Sequence, residues 1–149
     1  VEISIRKATH DDLDWLLSQM KKFSDLYGTK LKLHTEDHGR ASMADMVENH
    51  LVLVAEREDG AMLGMISGYV MRHPFNPGIT VLSETFWWVA EEYRKTRAAV
   101  MLLNAFNSWG KANVNWITMC LIGDSDVSDR SLVKRGFKRQ EVSYLLEVE

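Results

Sequence analysis

The stretch from Leu51 to Met71, LVLVAEREDGAMLGMISGYVM, constrains the fold more than any other. Two apolar runs flank Asp59-Gly60, a pair that turns a chain back on itself because glycine accepts the positive φ of a tight hairpin. Antiparallel strands are therefore expected over residues 51–58 and 62–71. A third run, residues 79–89, is β-branched and aromatic and follows the turn-rich connector 73–78. Upstream, Ile3 and Ile5 alternate with polar residues as a first strand, and Thr9 with Asp12 resembles a capping box. Leu13, Leu16, Leu17, Met20 and Phe23 then recur at helical spacing towards a stop near Gly28. Further helices are read over residues 40–48, from Ala98 onwards, and over 126–135 with Gly136 as the stop. Residues 115–122 and 137–148 read as the remaining strands. Elements in this order make an α/β or α+β layer around a mixed sheet, in one domain of residues 1–149.

Charge and cysteine content narrow the function. The formal net charge is −3 and the pI near 6.0, which argues against nucleic acid as the main partner. No stretch approaches the roughly 18 consecutive apolar residues of a membrane span. The single cysteine, Cys120, excludes an internal disulfide and a cysteine-rich zinc site, and a reducing cytoplasm is the expected compartment.

Against that acidic background, Arg94, Lys95 and Arg97 stand within four residues, just before a helix. A helix N-terminus already carries positive potential and outward N–H groups without internal partners. Added cations make an anion site there, suited to a phosphate or diphosphate, and the small pair Ala98-Ala99 allows close approach. A basic run in a loop is more often simply solvated; the strand–loop–helix context favours the anion site without naming its ligand.

The segment VAEEYRKTRAA resembles the acyl-CoA-binding motif of the GNAT superfamily of N-acetyltransferases. That motif runs from a valine at the end of the fourth strand into Gln/Arg-x-x-Gly-x-Gly/Ala, matched here by Val89 and by Arg94 to Ala99. LVKRGFKRQEVSYLLEV is similar to the family's closing signature, a short helix ending in Gly136-Phe137 and followed by a strand. ETFWWVAEEYR also resembles phage-encoded members. The order of elements is similar over almost the whole chain. The resemblance implies a mixed, mostly antiparallel sheet of six to seven strands with about four helices. It implies that Arg94, Lys95, Thr96, Arg97, Ala98 and Ala99 hold the diphosphate of acetyl-CoA. The backbone of Trp87, Trp88 and Val89 would pair with the pantetheine arm. Three positions depart from the pattern. Arg97 stands at the first glycine, a difficulty if that position needs positive φ. Leu132 replaces a tyrosine that protonates the leaving thiolate, and Ser125 replaces a frequent asparagine; Ser125, Ser128 or solvent could substitute.

The implied reaction is direct attack of an amine on the thioester, with the acceptor a small molecule or peptide amine. A catalytically weak or inactive module of this fold that binds CoA or another phosphorylated ligand is the alternative. The chemistry needs a base for the ammonium and a donor for the oxyanion. Glu84, among aromatic residues five positions before Val89, is the preferred base, and an edge-of-strand surface carboxylate is the competing reading. Plain alternation puts Glu84 with Trp88 on one face and Thr85, Trp87 and Val89 on the other. His34 and His38 lie in the region that shapes the acceptor site in this family, as secondary candidates. No metal site is expected, and a homodimer is the default assembly.

Overall fold

The computed structural model describes residues 2–27, 36–121 and 129–148 and divides into two compact units, Val1–Met119 and Cys120–Glu149. The first unit contains β1 (Ile3–Lys7), α1 (Leu13–Tyr27), α2 (Glu36–Asn49), β2 (Leu51–Arg57), β3 (Met62–His73), β4 (Asn76–Val89), α3 (Ala98–Asn113) and β5 (Trp116–Thr118). Its sheet has five strands in the order β1-β2-β3-β4-β5. The first three pairings are antiparallel, and β4 pairs with β5 in parallel. The expected mixed, mostly antiparallel sheet is present. Among the described residues no helix is long and apolar enough to cross a membrane.

Two apolar layers hold the sheet. On one face Leu16 and Leu17 of α1 and Met43 and Met46 of α2 pack with Val52, Val54, Met65 and Trp88. On the other, Ala98, Leu102 and Phe106 of α3 pack with Leu53, Ile66, Leu82 and Val89. The β2–β3 hairpin closes with Gly60 at φ 88°, its N–H donating to Arg57 O at 2.8 Å. The β3–β4 hairpin is longer than expected. The connector 73–78 narrows to Pro74-Phe75, because a register shift at Arg72/His73 leaves Pro77 and Gly78 outside the ladder, where no N–H is required. Helix α2 gains a turn at its start, where Glu36 and Asp37 meet the positive end of the dipole.

A second register shift, between Ser67 and Gly68, changes the functional strand. Gly68 faces Glu84 and Ser67 faces Phe86, so Thr85 is the extra residue of a bulge. Its hydroxyl lies 3.0 Å from that of Ser67. The inserted residue reverses the phase of the strand and overturns plain alternation. Phe86 and Trp88 belong to the α1/α2 face, and Trp87 and Val89 to the α3 face. Glu84 is in register with Gly68, at which a Cβ would meet Leu82 and Phe106 of the α3 side.

The second unit contains α4 (Asp129–Val133). Gly136, at φ 92°, ends it: Gly136 N–H donates to Val133 O and Phe137 N–H to Leu132 O, the paired bonds of a glycine C-cap. The strand count is a correction. Among the described residues the sheet has five strands rather than six to seven, and residues 137–148 form neither helix nor strand. Val142, Tyr144, Leu146 and Val148 alternate as a strand would, yet all four are exposed. A strand is stabilised by lateral hydrogen bonds and a covered face, which a period-two pattern does not itself provide.

Candidate active site

The site begins where β5 leaves β4. Their parallel pairing covers only Val81, Leu82 and Ser83, so Glu84 is the first residue past the fork. Beyond it, β4 keeps β3 on one edge, and no strand among the described residues covers the other. Ala90 donates its N–H to Leu63 O on the β3 side at 2.8 Å. Strand geometry therefore turns the N–H and C=O of Val89 to the uncovered edge. Glu84 is only 9% exposed, so the surface reading of this carboxylate is excluded.

After Val89 a short 3-10 turn, Glu91–Tyr93, leads into the basic loop and α3. Arg94, Lys95, Thr96 and Arg97 are all exposed, whereas Ala98 is fully buried and Ala99 partly so. Some loop amides are used locally. Arg94 N–H reaches Glu91 O at 3.4 Å, Thr96 N–H reaches Tyr93 O at 3.0 Å, and Ala98 N–H reaches the Thr96 hydroxyl at 3.3 Å. Those of Lys95, Arg97, Ala99 and Val100 have no hydrogen-bond partner among the described residues. The first turn of α3 contains no acidic side chain that would occupy them. Arg97 has φ −79° and ψ 0°, ordinary values for any L-residue, so no glycine is needed for this loop path.

The Arg94 side chain turns back along β4. Its Nε–H donates to Val89 O at 3.3 Å, and its guanidinium carbon lies 4.7 Å from the centre of the Trp88 ring. Trp88 is 7% exposed, and its indole N–H donates to Gln19 Oε1 at 2.9 Å. Phe23 meets Phe86 edge-on at 4.8 Å and Trp88 at 5.8 Å. Trp87 differs from its neighbour: its indole N–H is buried without a hydrogen-bond partner among the described residues, as is Asn107 Oδ1 on α3. A cavity of about 470 Å³ opens beside the loop, lined by Thr96, Arg97, Tyr93, Met101, Arg57 and Leu63 among others. It shares Thr96 and Arg97 with the loop, but neither Glu84 nor Val89 lines it.

Thus Trp88, Val89 and Arg94 are in mutual contact, and Glu84 stands at the fork of the same strand. His38 is exposed in the first turn of α2 and makes no ion pair or hydrogen bond among the described residues. His34 and Ser125 lie outside the described residues. Leu132 is buried in α4. Gln19 and Asn107 were not read as site residues. Gln19 falls on the apolar side of α1 and is 4% exposed, so a polar residue interrupting a core stripe was the available signal.

No family model matches the chain, and no curated protein matches its sequence. Solved structures match over nearly their full length. An acetyltransferase of Trypanosoma brucei superposes with a TM-score of 0.71 at 18% identity, covering 99% of this chain and 100% of its own. The aminoglycoside acetyltransferase AAC(6')-Iy, solved with a bisubstrate analogue of CoA and acetylneamine, gives 0.74 at 16% identity, covering 100% and 99%. The chain has the fold of the GNAT acetyltransferases. A transcriptional regulator of Bacillus halodurans has the same fold, with a TM-score of 0.78 at 15% identity over 99% and 100% of the two chains. The GNAT fold of this chain therefore fixes a scaffold, and its chemistry must be argued from the site.

Proposed function

We propose that this chain is an N-acetyltransferase that moves an acetyl group from acetyl-CoA to a primary amine by direct attack. One observation carries the reading: a β4 edge, uncovered among the described residues, runs into a helix N-terminus whose amides, unpartnered among those residues, stand among cations. A long ligand with an amide-bearing arm and a diphosphate matches both halves, the arm along the edge and the anion at the helix. Lys95 and Arg97 supply charge, and the N–H groups of Lys95, Arg97, Ala99 and Val100 supply directed donors. Bound acetyl-CoA would bring a thioester, which a neutral amine attacks without a covalent enzyme intermediate.

The chain's residues then have separate tasks. Glu84, 9% exposed at the fork, takes a proton from the ammonium, directly or through water. Val89 N–H, on the uncovered edge, donates to the developing oxyanion. As the C–N bond forms and the C–S bond breaks, the nitrogen sheds its second proton to solvent, and the thiolate takes a proton from solvent, directly or relayed through Ser125 or Ser128. His34 and His38 remain secondary candidates for contact with the acceptor. The acceptor is a small-molecule or peptide amine; aminoglycosides enter the list because AAC(6')-Iy was solved with an acetylneamine analogue.

A second reading has its own support. Leu132, buried and apolar, occupies the position where the resemblance has its proton-donating tyrosine, which suits a module that binds coenzyme without turnover. Two measurements separate these outcomes. Titration calorimetry should give saturable acetyl-CoA binding, and its absence at millimolar coenzyme would remove both readings. A thiol-release screen over amines, polyamines, aminoglycosides and short peptides should find a substrate; binding without release selects the inactive module.

A further inference from the structure

We propose that Arg94 is a positioning residue for Trp88 rather than a ligand of the diphosphate. The sequence groups it with Lys95 and Arg97, but the geometry separates them. Its Nε–H is committed to Val89 O at 3.3 Å and its guanidinium lies over the Trp88 indole at 4.7 Å. The same indole is held through its N–H by Gln19 Oε1 at 2.9 Å, and Phe23 of α1 meets it edge-on. Trp88 is thus clamped from the loop before α3 and from helix α1, two segments far apart in sequence. A planar, weakly hydrated guanidinium suits this position, because it stacks on an aromatic face while its N–H groups bond in plane; an ammonium cannot do both.

Two consequences follow for the site. Arg94 occupies the carbonyl of Val89 and leaves the N–H of that residue as the directed group on the uncovered edge. It also ties the diphosphate loop to the aromatic wall of Phe23, Phe86 and Trp88 on the α1/α2 face. Any shift of the loop on binding an anion is then felt by the Trp88 indole and by α1. Placing the acceptor against that wall is part of this proposal and rests on the transferase reading; the clamp itself does not.

The test uses the full chain and compares Arg94→Ala, Arg94→Lys, Gln19→Leu, Gln19→Glu and the Arg94→Ala/Gln19→Leu pair, with Trp88→Phe identifying the Trp88 part of the near-ultraviolet circular dichroism. Arg94→Ala and Gln19→Leu should each weaken that band, and the pair should lose no more than the larger single loss. Gln19→Glu keeps an acceptor for the indole N–H and should preserve the band, which guards against a Gln19→Leu that fails to fold. Arg94→Lys retains charge yet should behave like Arg94→Ala. In calorimetry, Arg94→Ala should weaken acetyl-CoA by no more than about three-fold, where Arg97→Ala weakens it on the order of ten-fold. With a competent amine, Arg94→Ala should raise the acceptor KM on the order of five-fold. The proposal is overturned if the Trp88 band ignores Arg94→Ala. It is equally overturned if Arg94→Ala costs as much coenzyme affinity as Arg97→Ala and Arg94→Lys restores it, the behaviour of a plain phosphate ligand. A wild-type chain that binds no acetyl-CoA while the band still couples Arg94 to Gln19 would defeat the transferase reading and leave the clamp standing.

Discussion

The starts of α1 and α3 both gather arginine beside a helix N-terminus, and they do opposite things with it. Before α1, Arg6 makes a two-point contact with Asp12 at 2.8 and 3.0 Å and donates through Nε to Glu56 at 2.9 Å. Asp12 also accepts the N–H of Thr9 at 2.8 Å, and Asp11, Asp12 and Asp14 place negative charge where the dipole wants it. The first turn of α3 holds no acid, four amides are without partners among the described residues, and Lys95 and Arg97 face solvent. A closed set of charges and donors joins β1, β2 and the turn before α1. An open set is poised for something that arrives from outside. The difference predicts that variants of the first region move stability and variants of the second move chemistry.

The largest expected effect tests the open side. Glu84→Gln should lower the rate of thiol release about 100-fold or more, the usual weight of a general base. Acetyl-CoA affinity should stay within about two-fold, since the carboxylate is placed at the fork and away from the diphosphate loop. Unchanged turnover in a steady-state assay would move the base to His34 or His38 and cut Glu84 out of the chemistry.

The next effect tests the closed side. Asp12→Ala should cost about 2–3 kcal/mol in denaturant unfolding, because Arg6 and the Thr9 N–H lose a charged acceptor. The Arg6 guanidinium, then the Thr9 amide, hold the Asp12 carboxyl below the usual carboxylate range against the opposing effect of burial. Its contribution is therefore fully present above the ordinary aspartate value of about 3.9 and is lost as pH falls through the lowered native value. Wild-type stability should drop on acidification below about pH 4 more steeply than that of Asp12→Ala. Acid-unfolding curves of the same slope would mean that the Arg6 cluster is as dispensable as an exposed ion pair.

Arg97→Ala brings the comparison back to the loop. It should weaken acetyl-CoA on the order of ten-fold at low salt, with the melting temperature unchanged. The loss should shrink in about 1 M salt, where exposed charges are screened within a few ångströms. A salt-independent loss would point to a packing role instead.

How far these regions could be read from residues alone follows the same division. The Asp59-Gly60 hairpin, the start of α3 at Ala98 and the glycine stop at Gly136 obey local rules, and each stands where those rules put it. The basic loop was legible because charge and helix onset are neighbours in sequence. The Thr85 bulge was not, since it depends on how Ser67 and Gly68 pair with β4 eighteen or so residues away. The bond from Gln19 to Trp88 and the return of Arg94 onto the same indole arise only once α1 and β4 are packed. The alternation of Val142, Tyr144, Leu146 and Val148 misled because a pattern specifies a face and not a partner.

The smallest change in energy divides the two N-termini most sharply. Arg97 is the N-cap of α3 and makes no side-chain cap, so the N–H groups of Ala99 and Val100 are the ones a capping side chain would take. Arg97→Asp should give α3 what Asp12 gives the entry to α1, a carboxylate on free amides at the positive end of a dipole. Stability should rise by about 0.5–1 kcal/mol in chemical unfolding. Acetyl-CoA binding should vanish, because the same donors would be filled by a side chain that also repels a diphosphate. Capping a helix and emptying its anion site would then be one event. If stability rises and the coenzyme still binds, the amides before α3 are not its ligands, and the contrast between the two N-termini is one of folding alone.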